Sequence, residues 1–109
     1  MTRYMSKDSN EARFQPAQVA PAGQSIEYQS RSIVSREIVK GVNGKVMLFA
    51  FDEGEGLSEH TSPFNELVQV IEGEAEVTIS AKSNQVRGVE MILMPVGQPH
   101  ALNARNHSK

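Results

Sequence analysis

From residue 26 onward, hydrophobic residues tend to fall at every second position, which is the period of a β-strand. The alternation is most regular over residues 74–81, where Ala75, Val77, Ile79 and Ala81 are predicted to face inward. Residues 32–40, 64–72 and 86–94 predict further strands, and 45–52, apolar on both faces, predicts the central strand of a sheet. No segment sustains the ~3.6-residue period of an amphipathic helix.

Turn-forming residues separate the predicted strands. The Asn43-Gly44 pair predicts a β-hairpin, Gly73 ends the strand before the alternating segment, and residues 82–84 predict the next turn. Residues 95–99 carry two prolines and a glycine, which interrupt the chain before a last extended piece. Short strands separated at roughly 8–12-residue intervals are typical of an all-β sandwich or barrel.

The first 24 residues differ from the rest of the chain. They contain Pro16 and Pro21 among small or polar residues, and no apolar period persists there. We therefore expect an extended, loosely ordered N-terminal arm over 1–24 and one β-barrel domain over 25–109. The total of 109 residues is enough for one domain with one modest core.

Composition and charge narrow the function classes. The formal net charge is −2, from 11 basic and 13 acidic residues, so no basic field is present that would attract nucleic acid. The absence of cysteine excludes a disulfide framework, a thiolate metal site and a cysteine nucleophile, and it fits a cytoplasmic location. No apolar run approaches the ~18 residues of a membrane span, so no membrane partner is expected.

Two histidines lie where predicted strands meet turns, the positions that form the mouth of a β-barrel. His60, Ser62 and Glu66 are separated by even numbers of positions, so one strand would point all three to the same face. A straight strand would hold His60 and Glu66 about 20 Å apart, however, which is too far for both to bind one metal ion. Pro63 favours a break, which lets Glu66 begin the next strand beside His60. With His100 from another strand, two imidazoles and one carboxylate form the facial ligand set of Fe(II), which also suits Mn, Zn or Ni.

Two further polar residues need an interpretation. Gln69 has the parity of Leu67 and Ile71, so it points to a bound ligand if that face is the barrel lumen, and into solvent if it is not. His107 lies in the C-terminal tail, where we expect it to be solvated and outside any site.

Two stretches resemble the motifs of the cupin family. The first family motif reads G-x5-H-x-H-x3-E-x6-G, and Gly54, His60, Glu66 and Gly73 fall on it in register. The second reads G-x5-P-x-G-x2-H-x3-N and is similar to residues 95–103, although its first glycine and its asparagine are each displaced by one position. Together with the strands from residue 46 onward, the resemblance covers roughly residues 30–104.

This resemblance implies a small jelly-roll β-barrel that pairs as a homodimer and takes a small-molecule ligand. It also implies a divalent metal ion (Fe, Mn, Ni, Zn or Cu), for which His60, Glu66 and His100 match ligand positions. Ser62 stands where the family has a second motif histidine, and a serine hydroxyl is a poor ligand for these metals. The resemblance therefore implies a three-ligand site that is weak or vestigial.

The resemblance also implies one incomplete sheet edge. The sequence ends at Lys109, where a last strand of such a barrel begins, so we expect the N-terminal arm or a partner subunit to cover that edge.

Three functions remain open at this point. The first is a metal-dependent enzyme, which by resemblance carries out dioxygenation, isomerisation or decarboxylation of a small oxygen-rich molecule. The second is a metal-free binding or sensor barrel in which His60, His100, Ser62 and Gln69 hydrogen-bond a small ligand. The third is a dimeric scaffold in which the polar residues of the candidate site no longer bind a metal ion or a ligand.

Overall fold

Eight β-strands and a short 3₁₀ turn account for the regular structure of residues 14–109, the part of the chain that the computed structural model describes. The first thirteen residues of the predicted N-terminal arm lie outside it. The strands are β1 (Ile33–Gly41), β2 (Gly44–Phe51), β3 (Gly56–His60), β4 (Glu66–Gln69), β5 (Glu74–Ile79), β6 (Lys82–Arg87), β7 (Met91–Met94) and β8 (His100–Ala104). No helix among the described residues is long and apolar enough to span a lipid bilayer.

The strands form three antiparallel groups. β3, β8, β5 and β6 are neighbours in that order in a four-stranded sheet, while β4 pairs with β7 and β1 pairs with β2. The described residues contain no α-helix, so the prediction of an all-β fold is confirmed.

The core lies between the four-stranded sheet and the β4–β7 pair. As the alternation predicts, Ala75 and Val77 are buried, and Val77 has no exposed surface. Val70 and Met94 meet them from the β4–β7 side, and Val86 from β6. Every second residue on the inner face of each sheet is buried, and these side chains pack the four-stranded sheet against the β4–β7 pair.

The predicted β1–β2 hairpin forms and a second hairpin joins β5 to β6, but both turns lie at other residues than expected. The β1–β2 turn consists of Val42 and Asn43, one position before the Asn-Gly pair. The predicted turn over 82–84 is wrong: β6 begins at Lys82, and the turn is Ser80-Ala81 with φ of 48° and 67°. Positive φ at both central positions matches the right-handed twist of the paired strands, which here outweighs the steric cost to non-glycine residues.

The prediction of a central strand over 45–52 is wrong within the described residues. β2 pairs with β1 on one side, and its other edge makes one isolated bridge, from Phe51 to Ser108. The next residue, Lys109, exchanges backbone hydrogen bonds with Glu72 just beyond β4. Ser108 and Lys109 therefore join the edge of the β1–β2 sheet to the edge of the β4–β7 sheet.

Phe14 of the predicted arm and Ser25, just after it, both contact β1. Arg36 donates a hydrogen bond to the Ser25 carbonyl at 2.7 Å, and its guanidinium lies 4.7 Å from the centre of the Phe14 ring. Ile26 is buried. The boundary between residues 24 and 25 stays a prediction.

Candidate metal centre

Three potential metal ligands converge at one end of the barrel. His60 is the last residue of β3, Glu66 the first of β4 and His100 the first of β8. The antiparallel register places His60 directly opposite His100. Residues 61–65 separate β3 from β4, so the predicted break near Pro63 is confirmed.

The side chains meet closely. The Nε2 atoms of His60 and His100 are 3.0 Å apart, and the rings meet edge to face with centroids separated by 4.3 Å. The nearer carboxylate oxygen of Glu66 lies 3.7 Å from His100 Nε2. One ligand atom from each residue falls within 4.8 Å of the others.

Backbone carbonyls fix the orientation of both imidazoles. His60 Nδ1 is 2.7 Å from the Ser58 carbonyl oxygen, and His100 Nδ1 is 3.2 Å from that of Gln98. A carbonyl oxygen only accepts hydrogen bonds, which assigns the Nδ1–H tautomer to each neutral ring. Each Nε2 then carries a lone pair, and two lone pairs only 3.0 Å apart repel each other unless a cation lies against both nitrogens.

The spacing and the donor types fit a transition-metal ion. Metal–imidazole bonds of about 2.0–2.1 Å place adjacent ligand atoms of a six-coordinate ion about 3 Å apart. The Nε2–Nε2 distance matches that value, while the Glu66 oxygen needs a small approach. Two neutral imidazoles and one carboxylate are the ligand set of facial-triad sites.

Exposure differs across the group. His100 is 2% exposed, whereas the Glu66 side chain is 43% exposed and His60 is an exposed residue. The buried imidazole provides a fixed anchor, and the other two side chains face solvent, so a small molecule can reach the group from their side.

Ser62 and Gln69, the two other polar residues considered for the site, hydrogen-bond to the backbone instead. Ser62 is buried, and its Oγ accepts a hydrogen bond from the Phe64 N–H at 3.1 Å, which shapes the turn before β4. Gln69 is exposed and donates to the Val89 carbonyl at 3.3 Å. Gln69 lies on the face of β4 opposite the core, so the alternative in which it points into the lumen is wrong.

His107 is exposed and lies outside the candidate metal centre, as expected, but it also makes contacts that the sequence did not predict. Its Nε2 lies 2.7 Å from Asp52 Oδ1, and its ring stacks on Tyr28 at 4.7 Å. The backbone N–H of Arg31 lowers the pKa of Asp52 most, followed by the N–H of Glu53 and by His107. Sequence inspection missed this contact because residues 52 and 107 are far apart in the chain.

The Asp52→Asn variant is expected to unfold at a lower temperature than the wild type at neutral pH, by a few degrees. Because the folded-state pKa of Asp52 is lowered, its stabilisation is complete above the unfolded pKa of about 3.9 and is lost as the pH falls through the folded value. The gap between the two melting temperatures should therefore close in acid. A gap that stays constant down to the acid transition would contradict this assignment.

Known structures with the same fold bear on this site. A conserved protein of unknown function from Streptococcus pyogenes matches with a TM-score of 0.83 and 28% identity over 94% of this chain and 90% of its own. A cupin superfamily protein from Desulfitobacterium hafniense matches with a TM-score of 0.79 and 20% identity, over 90% and 89% of the two chains. A Cupin 2 conserved barrel domain protein from Leptotrichia buccalis is 31% identical (TM-score 0.75) over 79% of this chain, which spans 41% of that protein.

No family model matches the sequence, and no curated protein matches it.

Proposed function

This chain belongs to the cupin superfamily, and from that premise we propose that it binds one divalent transition-metal ion through His60, Glu66 and His100. The observation that supports this most is the pair of Nε2 atoms 3.0 Å apart, each held with its lone pair inward by a backbone carbonyl. The Glu66 carboxylate beside His100 supplies one negative charge, which compensates part of the charge of a divalent ion.

The bound ion would supply Lewis acidity or O₂ activation. His100, buried and hydrogen-bonded to the Gln98 carbonyl, holds its nitrogen in place without rotating. His60 and Glu66 leave the solvent side of the group open. Three protein ligands leave three positions of a six-coordinate ion for small ligands. We propose that a small oxygen-rich molecule chelates there, with dioxygenation, isomerisation or decarboxylation as the reaction class.

Metal stoichiometry tests this proposal. The untagged protein is stripped with a chelator, dialysed against Mn, Fe(II), Ni, Zn or Cu in turn, and assayed by plasma mass spectrometry. We expect close to one equivalent of at least one metal per chain, accompanied by a higher melting temperature. Less than about a tenth of an equivalent of all five metals would overturn the proposal.

A metal-free binding barrel is the second candidate, and the role of Ser62 favours it. Its hydroxyl already accepts the Phe64 N–H, so the group offers three metal ligands rather than four. In that case His60 and His100 would hydrogen-bond a small molecule directly. Stabilisation by a candidate ligand that a chelator leaves unchanged would favour this function over the metal site.

The Ser62→His variant is expected to bind metal at least about 10-fold more tightly than the wild type, because it restores the fourth ligand of the family motif, a third imidazole. Isothermal titration of the stripped proteins measures the difference. Ser62→Ala is the control, since it loses the Phe64 contact without adding a ligand. Equal affinities for all three proteins would show that position 62 does not reach the ion.

We also propose a cytoplasmic location, supported by the absence of cysteine from the chain.

A further inference from the structure

Two loops meet beside the candidate metal centre and are joined by hydrogen bonds. Residues 61–65 connect β3 to β4 and lie between the ligands His60 and Glu66. Residues 95–99 connect β7 to β8 and lead directly into His100. All three proposed ligands therefore flank these two loops, and the spacing of the ligand atoms depends on how the loops are held together.

The β7–β8 loop contains a tight turn with a defined shape. The Gln98 N–H donates to the Pro95 carbonyl at 3.3 Å, and Gly97 has a φ of +76°. A glycine with positive φ at the third of four turn residues is typical of a type II turn. The carbonyl of Gln98, at the end of this turn, is the one that faces Nδ1 of His100 at 3.2 Å. The turn therefore sets the orientation of the buried imidazole.

The side chain of Asn65 connects the β3–β4 loop to this turn. The ladder between β4 and β7 ends at the pair of Glu66 and Met94, and the following residue, Pro95, has no N–H to donate. The next backbone donor is the N–H of Val96, which donates to Oδ1 of Asn65 at 2.8 Å. The Asn65 side chain therefore extends the pairing of the two strands by one step beyond the proline.

A backbone hydrogen bond supports the same junction, from the Gly97 N–H to the Ser62 carbonyl at 2.9 Å. Asn65 is exposed, and Val96 is 52% exposed. Loss of the Asn65 side chain therefore opens no cavity in the core, and the backbone bond at Gly97 does not depend on that side chain. We expect such a variant to fold and to differ from the wild type in the local placement of the turn.

We propose that Asn65 is a positioning residue of the metal centre, which holds the 95–98 turn against the loop that leads to Glu66. This inference rests on the proposed metal site. A Glu66 carboxylate oxygen and Nε2 of His100 are 3.7 Å apart, and they are carried by the two different loops that Asn65 joins. Outer residues that orient metal ligands contribute about 10–100-fold to affinity. Asn65 acts through a backbone turn, so we expect the lower end of that range.

Titration of the metal-stripped wild type, Asn65→Ala and Asn65→Asp with Cu(II) tests the proposal. Cu(II) is the probe because, of the divalent metals considered, it forms the tightest complexes with a given nitrogen and oxygen site. We expect Asn65→Ala to bind Cu(II) about 10-fold more weakly than the wild type. Asn65→Asp keeps an oxygen acceptor for the Val96 N–H and should restore most of the affinity. Salt at roughly 0.5 M screens the charge that this variant adds.

Two further measurements separate positioning from a general loss of stability. The electron paramagnetic resonance spectrum of bound Cu(II) reports the arrangement of its ligands, so it should change in Asn65→Ala and return in Asn65→Asp. In the metal-free protein, the amide of Val96 should exchange faster in Asn65→Ala than in Asn65→Asp. Asn43→Ala is the matched control, because it truncates an exposed asparagine in the distant β1–β2 turn and should match the wild type.

Failure of this inference is distinguishable from failure of the metal site. A wild type that binds no Cu(II) would overturn the proposed function and this role of Asn65 with it. If the wild type binds Cu(II) and Asn65→Ala binds it equally well with the same spectrum, only the positioning role is overturned. Weaker binding by Asn65→Ala that Asn65→Asp does not restore would also overturn that role, because the oxygen acceptor would then not be the cause.

Discussion

Replacement of His100 by alanine is expected to lower the affinity for the bound metal by at least about 100-fold. Substitutions of residues that merely orient a metal ligand already cost 10–100-fold, and His100 is itself a ligand in the proposed site. Its loss also leaves the Nε2 of His60 and the Glu66 carboxylate without their closest partner. Isothermal titration of the stripped wild type and variant with the preferred metal measures the change.

Two further variants make this result interpretable. His107→Ala removes an imidazole that pairs with Asp52, outside the candidate site, so it should bind metal like the wild type. His60→Ala removes an exposed ligand and disturbs the core less than loss of the buried His100. It should lose affinity to a similar extent. Wild-type affinity in both His60→Ala and His100→Ala would mean that any bound metal lies elsewhere.

Gly73→Ala is expected to destabilise the fold by about 3–4 kcal/mol, the largest effect on stability that we foresee for a single methyl group. Gly73 adopts a φ of +84°, which costs an L-residue roughly 1–2 kcal/mol. An added Cβ would also overlap the His107 carbonyl oxygen and press on Ser108 Oγ. Relief requires the 106–108 segment to move and weakens the bridge between Ser108 and Phe51.

Thermal unfolding measures this effect. At about 4–8 °C per kcal/mol for a domain of this size, the melting temperature should fall by roughly 12–30 °C. Gly88→Ala is the matched control, because a Cβ at Gly88 meets no atom within 4 Å and its φ is not in the left-handed range. An unchanged melting temperature for Gly73→Ala would show that the C-terminal segment does not pack over residue 73.

Local chain chemistry predicts the candidate centre well. The shared parity of His60 and Glu66, the break near Pro63 and the separate motif that contains His100 are all visible along the sequence. In the structure these features place His60 at the end of β3 and Glu66 and His100 at the starts of β4 and β8, where the three side chains meet. The motif glycine Gly73 also has a local reason, since its positive φ suits glycine.

Which face of a strand points inward is less predictable from the sequence. Gln69 shares its parity with Leu67 and Ile71, two apolar residues, yet Val68 and Val70 face the core. β4 carries apolar residues on both faces, so alternation alone gives no direction. The structure resolves the ambiguity and leaves the apolar Leu67 on the exposed face.

Contacts that the local sequence pattern does not show changed two of these expectations. Ser80-Ala81 forms the β5–β6 turn although neither residue favours positive φ, because the ladder between Ile79 and Lys82 fixes the register. His107 remains exposed but also pairs with Asp52, 55 positions earlier.

The sequence by itself determined the all-β class, the family resemblance and the three residues of the candidate metal centre. The fold class depends on period-two alternation and turn-forming residues, and the site residues depend on the spacing around Pro63 and on the second motif, which contains His100. Only the tertiary structure decided the 3.0 Å approach of His60 to His100, the outward direction of Leu67 and the pairing of His107 with Asp52. These depend on how separate strands align, which is set by burial of the common core and by backbone pairing between residues that are far apart along the chain.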